Sequence, residues 1–120
     1  MINKTLLMLM ILLVPALAHA GFYSGSTLLA QTQDYTKHKA GAVTASEALN
    51  SGLFMGYVAG VFDSYAMQGN RNICPGSGIS VGMAADAVMK YLDDHPEQLH
   101  YSAPSVVMLA LTTAFPCERH

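Results

Sequence analysis

Tryptophan is absent, cysteine occurs only twice, and charged residues make up just 12% of the 120-residue chain. Six Lys or Arg stand against eight Asp or Glu, a formal charge of −2. No basic patch or stripe breaks this balance, so neither nucleic acid nor an anionic membrane surface is an expected partner. The two cysteines do not form a Cys-x-x-Cys pair, which removes the usual redox and haem-attachment motifs. His38, His95, His100 and His120 are scattered, and none completes the His-x-x-x-His spacing of a helical metal site. No serine lies in a Gly-x-Ser-x-Gly elbow. No stretch alternates apolar and polar residues for long enough to predict a strand. No enzyme and no cofactor are expected from these absences.

What is present begins with a leader. Lys4 precedes an apolar run from Leu6 to Val14, Pro15 breaks it, and Ala18-His19-Ala20 offers the small-x-small pattern of a signal-peptidase site. The run is too short to cross a bilayer core of ~30 Å. Residues 1–20 are therefore expected to be a cleaved secretory signal, and residues 21–120 a single exported domain. That domain carries five Lys or Arg against eight Asp or Glu, a formal charge of −3. In an oxidising compartment Cys74 and Cys117 are expected to pair with each other. Free thiols or a bridge between chains are the alternatives.

Helical spacing dominates the rest. Residues 21–24 read as a loose end, Leu28, Leu29 and Tyr35 as a short first helix, and Lys37 to Val43 as a loop. Thr44-Ala45-Ser46-Glu47 fits a capping box. The helix it opens carries Leu49, Leu53, Phe54, Tyr57, Val58, Val61, Phe62 and Tyr65 at helical intervals. Gly52, Gly56 and Gly60 recur four apart within it, each costing about 1 kcal/mol against Ala. Such a column predicts a helix-packing face, inside the domain or between two copies, with a ligand groove as the alternative. Ser80 is a predicted N-cap for a third helix with Met83, Ala87, Val88, Tyr91 and Leu92 on its core face. Pro96 ends it. Ser102 and Pro104 open a last apolar helix through Val106, Val107, Leu109, Ala110 and Leu111, stopped by Pro116. The fold class predicted is all-α, a compact bundle of four to five helices stapled by one disulfide.

Asp63, on the long helix beside Phe62 and Tyr65, needs water or a partner. Its readings are a satisfied structural carboxylate or polar helix face and, against that, acid–base chemistry. His95 and His100 flank one turn, where a chance pair and a ligand pair are the two readings.

Three segments together resemble a known family: Gly56-Tyr57-Val58-Ala59-Gly60-Val61-Phe62-Asp63, then Ile73-Cys74-Pro75, then Val88 to Cys117. The last includes Lys90-Tyr91-Leu92, His95-Pro96-Glu97, Ser102-Ala103 and Ala114-Phe115-Pro116-Cys117. From about Gly25 onward the chain is similar to the Rap/Tai immunity proteins, which protect bacteria from amidase effectors of the type VI secretion system. The resemblance implies a periplasmic, all-helical, often dimeric inhibitor. Its partner would be a cognate peptidoglycan amidase whose catalytic cleft it blocks. The family's cysteine pair falls on Cys74 and Cys117. Further family cysteines are replaced here by the Gln31-Thr32-Gln33 and Phe54-Met55 neighbourhoods.

An inhibitor benefits from a pre-ordered loop, which loses less entropy on binding. The first candidate is the polar, Gly-rich loop from Gln68 to Ser80, with Gln68, Asn70, Arg71, Asn72 and Ser77, although a plain connector would read the same. The turn carrying His95, Glu97, His100 and Tyr101 is the second. Competing expectations are a periplasmic acid-stress chaperone, against which the low charge content speaks, and a pocket protein using the Gly52-Gly56-Gly60 groove.

Overall fold

The computed structural model describes residues 21–69, 73–74 and 78–117. The expected leader lies outside the described residues, as do Asn70, Arg71, Asn72 and Ser77. The described residues form four α-helices: α1 (Gly25–Ala40), α2 (Ala45–Met67), α3 (Val81–Asp94) and α4 (Ala103–Ala114), with a 3-10 turn at Pro96–Gln98. Among the described residues there is no strand, only isolated bridges between Ser24 and Ser102 and between Ile73 and Pro116. The expected helical bundle is the fold.

Local chemistry sets the helix starts. Thr27 N–H donates to the Ser24 hydroxyl at 3.3 Å. The Thr44 capping box is complete: Glu47 N–H donates to Thr44 Oγ1 at 3.3 Å and Thr44 N–H donates to Glu47 Oε2 at 2.8 Å. Met83 N–H donates to Ser80 Oγ at 3.1 Å. Ser102 occupies the N-cap of α4 but makes no such bond, and its hydroxyl instead meets Ser105 Oγ at 2.8 Å.

Two boundaries differ from expectation. α1 continues through Lys37, His38 and Lys39, the two lysine charges lying at the negative end of the helix dipole, and stops at Gly41 with φ 89°. The stretch at 21–24 is also tied down rather than loose. Ala103 N–H donates to Tyr23 O at 2.9 Å, and the Tyr23 ring stacks on Tyr57 with centroids 5.1 Å apart.

The core gathers Leu28 and Tyr35 of α1, Phe54 and Val58 of α2, Val88 and Leu92 of α3, and Val106, Val107 and Leu111 of α4. Each such side chain contributes about 1.5–3 kcal/mol on burial. Helix phase decides which apolar residues take part. α3 turns Ala84, Ala85, Val88 and Leu92 inward, leaving Met83 49% exposed instead of in the core. α2 buries Ser51, Phe54 and Val58, so Leu49 and Leu53 stand 62% and 43% exposed. In α4 the i, i+3, i+4 row from Ala103 to Leu111 is buried and Leu109 falls on the opposite side.

Cys74 and Cys117 form the expected disulfide, with Cα atoms 5.0 Å apart. It lies next to the Ile73–Pro116 bridge, and Ile73 itself sinks into the core at 3% exposure. The segment after α2 and the end of the chain are thereby joined at one point.

Candidate functional site

The first candidate loop leaves α2 through exposed Gln68 and Gly69, the latter at φ 66°. It is then held by buried Ile73 and by the disulfide at Cys74. It turns again at Gly78, φ 120°, before Ser80 caps α3. Both positive-φ positions favour glycine, so the loop's ends are shaped by residues that other side chains could not replace without strain.

The second candidate segment is ordered by a different set of contacts. Tyr91 Oη donates to Gln98 Oε1 at 2.8 Å, the His95 ring packs on Tyr91 with centroids 4.2 Å apart, and His95 Nδ1 lies 3.0 Å from Glu97 Oε1. Glu97's own backbone N–H, and after it His95, hold the Glu97 carboxyl below its usual range. His100 meets Tyr101 edge-on at 4.6 Å. The carbonyls of Leu99 and Tyr101 accept the N–H groups of Ser26 and Gly25, at 2.9 and 3.0 Å. The turn therefore caps the start of α1 while exposing His100 and Tyr101. His95 and His100 each have a separate aromatic neighbour.

The two segments sit at opposite ends of α3. That helix has 14 residues, so roughly 20 Å separates them along its axis at 1.5 Å per residue. They are two surfaces, not one.

Gly52, Gly56 and Gly60 lie exposed on α2, and a Cβ added at any of them meets nothing within 4 Å. Among the described residues no helix packs against this glycine column. With Leu49 and Leu53 it leaves a smooth, partly apolar and uncharged strip on the long helix. The helical spacing that includes Leu49 and Leu53 marks a helix but does not say which of its faces is buried.

One feature escaped the sequence reading. Between α2 and the start of α3 lies a hollow of about 140 Å³, walled by Ala59, Phe62, Ile79, Val81 and Ala84. Asp63 and Ser80 stand in its lining. The sequence signal was Asp63's place beside Phe62, but the opposite wall comes from residues sixteen and more positions later.

Among the described residues no group of three or more His, Cys, Asp or Glu is arranged to hold a metal, and no described helix is long and apolar enough to cross a membrane. The fold defines a small helical scaffold with one disulfide, two separately anchored loops and a long bare helix face. The family model of the Rap1a immunity proteins matches residues 24–117, and the chain belongs to that family. No curated protein matches it.

Proposed function

We propose that the chain is the periplasmic immunity partner of a type VI secretion peptidoglycan amidase, which it inhibits by occluding the catalytic cleft. The observation that carries this reading is the family match across residues 24–117, nearly the whole of the helical domain. It implies recognition of an effector protein. The Cys74–Cys117 disulfide suits an oxidising compartment, where peptidoglycan is also found. Removal of residues 1–20 as a secretory signal would deliver residues 21–120 there, without a cofactor and without catalysis of its own.

The plug in this proposal is the Gln68–Ser80 loop, fastened near its middle by the disulfide, with Gln68, Asn70, Arg71, Asn72 and Ser77 as contact residues. The His95–Tyr101 turn, with His95, Glu97, His100 and Tyr101, is the second choice. The α2 strip of Gly52, Gly56 and Gly60 is the proposed face for a homodimer, since small residues let helix backbones approach closely. The test is capture of the mature, oxidised protein on a panel of type VI amidases, followed by a peptidoglycan-cleavage assay. Nanomolar binding with loss of cleavage is expected. Failure to bind any amidase while the disulfide is intact overturns the proposal.

A further inference from the structure

The hollow between α2 and α3 combines an apolar wall with a carboxylate at its edge. Phe62 and Ile79 are half-buried and Ala84 is almost fully buried, whereas Val81, at the first position of α3, is 44% exposed. A β-branched apolar side chain left open at a helix start gains nothing from solvent. It does gain from a partner atom that completes the wall. Asp63 is exposed beside it.

The cations of the described chain are committed elsewhere. Lys37 pairs with Asp34 and Glu47, Lys39 with Asp86, and Lys90 with Asp94. Among the described residues Asp63 makes no ion pair. The chain as a whole is acidic, with a formal charge of −2, so its field favours a basic surface approaching it. Long basic side chains suit such a place, because they lay an apolar stem on apolar atoms and keep the charged head at a polar rim.

We infer that this hollow receives a Lys or Arg side chain from the effector, its stem on Phe62, Ile79 and Val81 and its cation on Asp63. The inference rests on the immunity reading and adds a specific anchor to it. Ile79 and Ser80 end the candidate plug loop, so an anchor here would fix the loop's base while its outer part meets the cleft. Anchors of this kind, enclosed at the centre of a contact, carry a large share of binding energy.

The experiment measures affinity of the oxidised chain for whichever amidase of the panel binds the wild type. Asp63→Asn is compared with Asp93→Asn, which removes the same charge from the far end of α3, and Tm of each free protein is recorded. The expected result is a loss of roughly tenfold or more for Asp63→Asn. Asp93→Asn stays near wild type, Val81→Ser weakens binding, and the Tm values do not move. Equal effects of the two Asn variants, or none for Asp63→Asn, overturn the anchor while leaving the immunity reading standing. A fall in Tm for Asp63→Asn also overturns it, because the carboxylate would then serve the α3 dipole or the chain's own Arg71. Non-additivity with Arg71→Ala would identify the latter. Absence of wild-type binding to any amidase overturns the function proposal and this inference together.

Discussion

Tyr35 and Asp86, fifty-one residues apart in sequence, meet in a hydrogen bond of 3.0 Å in which the phenol donates to Asp86 Oδ1. Lys39 Nζ lies 2.7 Å from the same oxygen and 5.4 Å from the centroid of the Tyr35 ring. One carboxylate thus ties the buried end of a core tyrosine and a surface cation of α1 to α3. Asp86 keeps its lysine when the phenol is removed, so no charge is left stranded. Tyr35→Phe is expected to cost about 1 kcal/mol, the usual net worth of one hydrogen bond. For a domain of this size that lowers Tm by roughly 4–8 °C. An unchanged Tm would show that the bond adds nothing over water.

The same tyrosine gives an alkaline prediction. Burial first, and Asp86 second, push the Tyr35 phenol up to about 12 from 10.0. The folded state therefore keeps a proton that the unfolded chain releases. That contribution to stability is complete below pH 10 and is lost as pH rises toward 12. Burial also raises the Tyr57 phenol, so absorbance titration should show a late-ionising fraction, and Tyr35→Phe should remove its latest part.

On the acid side the sign reverses. The Lys37 ammonium, and after it the Thr44 backbone N–H, lower the Glu47 carboxyl to about 2 from 4.5. Its stabilising contribution is present above pH 4.5 and is lost as pH falls toward 2. Lys39 and Tyr35 also lower Asp86, which adds to the same trend. Thermal melts should show Tm falling through this range. Glu47→Gln keeps a capping-box residue but not the charge, and should flatten the decline. Parallel profiles for the two proteins would count against the ion pair.

Two kinds of glycine make opposite predictions. Gly25 is buried, and a Cβ there would stand 3.1 Å from both Cα and O of Leu99. Both are backbone atoms, and the oxygen also accepts the Ser26 N–H at the α1 start, so Gly25→Ala should destabilise by about 1–3 kcal/mol despite alanine's better helix propensity. Gly56 has open space around it. Gly56→Ala should stabilise the free protein by about 0.5–1 kcal/mol. Denaturant midpoints decide both, and a destabilised Gly56→Ala would mean that the strip is already covered in solution.

Much of this architecture was legible because helix caps are local. Thr44 with Glu47, and Ser80 alone, announced two helix starts within four residues of sequence. Phase was harder. Met83 and Ala84 are both apolar, and only the packed neighbours show that alanine faces inward. Ser51 is fully buried on α2, with its hydroxyl lacking a partner among the described residues, while Leu53 two positions later is exposed. Polarity alone assigns that pair the wrong way round. The tethering of residues 21–24 and the hollow beside Asp63 depend on segments distant in sequence, Ser102–Ala103 in one case and Ile79–Ala84 in the other. No local pattern could have announced either.

The disulfide joins positions 43 apart and stands beside the bridge between Ile73 and Pro116. Loop-closure entropy for a segment of this length amounts to about 4 kcal/mol of stabilisation. That is a large share of the 5–15 kcal/mol typical of a small domain. Cys74→Ser with Cys117→Ser should therefore shift the denaturant midpoint strongly downward, and a reducing agent should do the same to the wild type. The helices themselves should persist below that midpoint, because the core from Leu28 to Leu111 does not include either sulfur. Amide exchange would then separate two cases. Faster exchange confined to Ile73 and its neighbours would show the bridge fastening a loop onto a standing bundle. Global loss of protection without denaturant would show that the bundle needs its staple to fold, and would remove the view of the disulfide as a loop anchor.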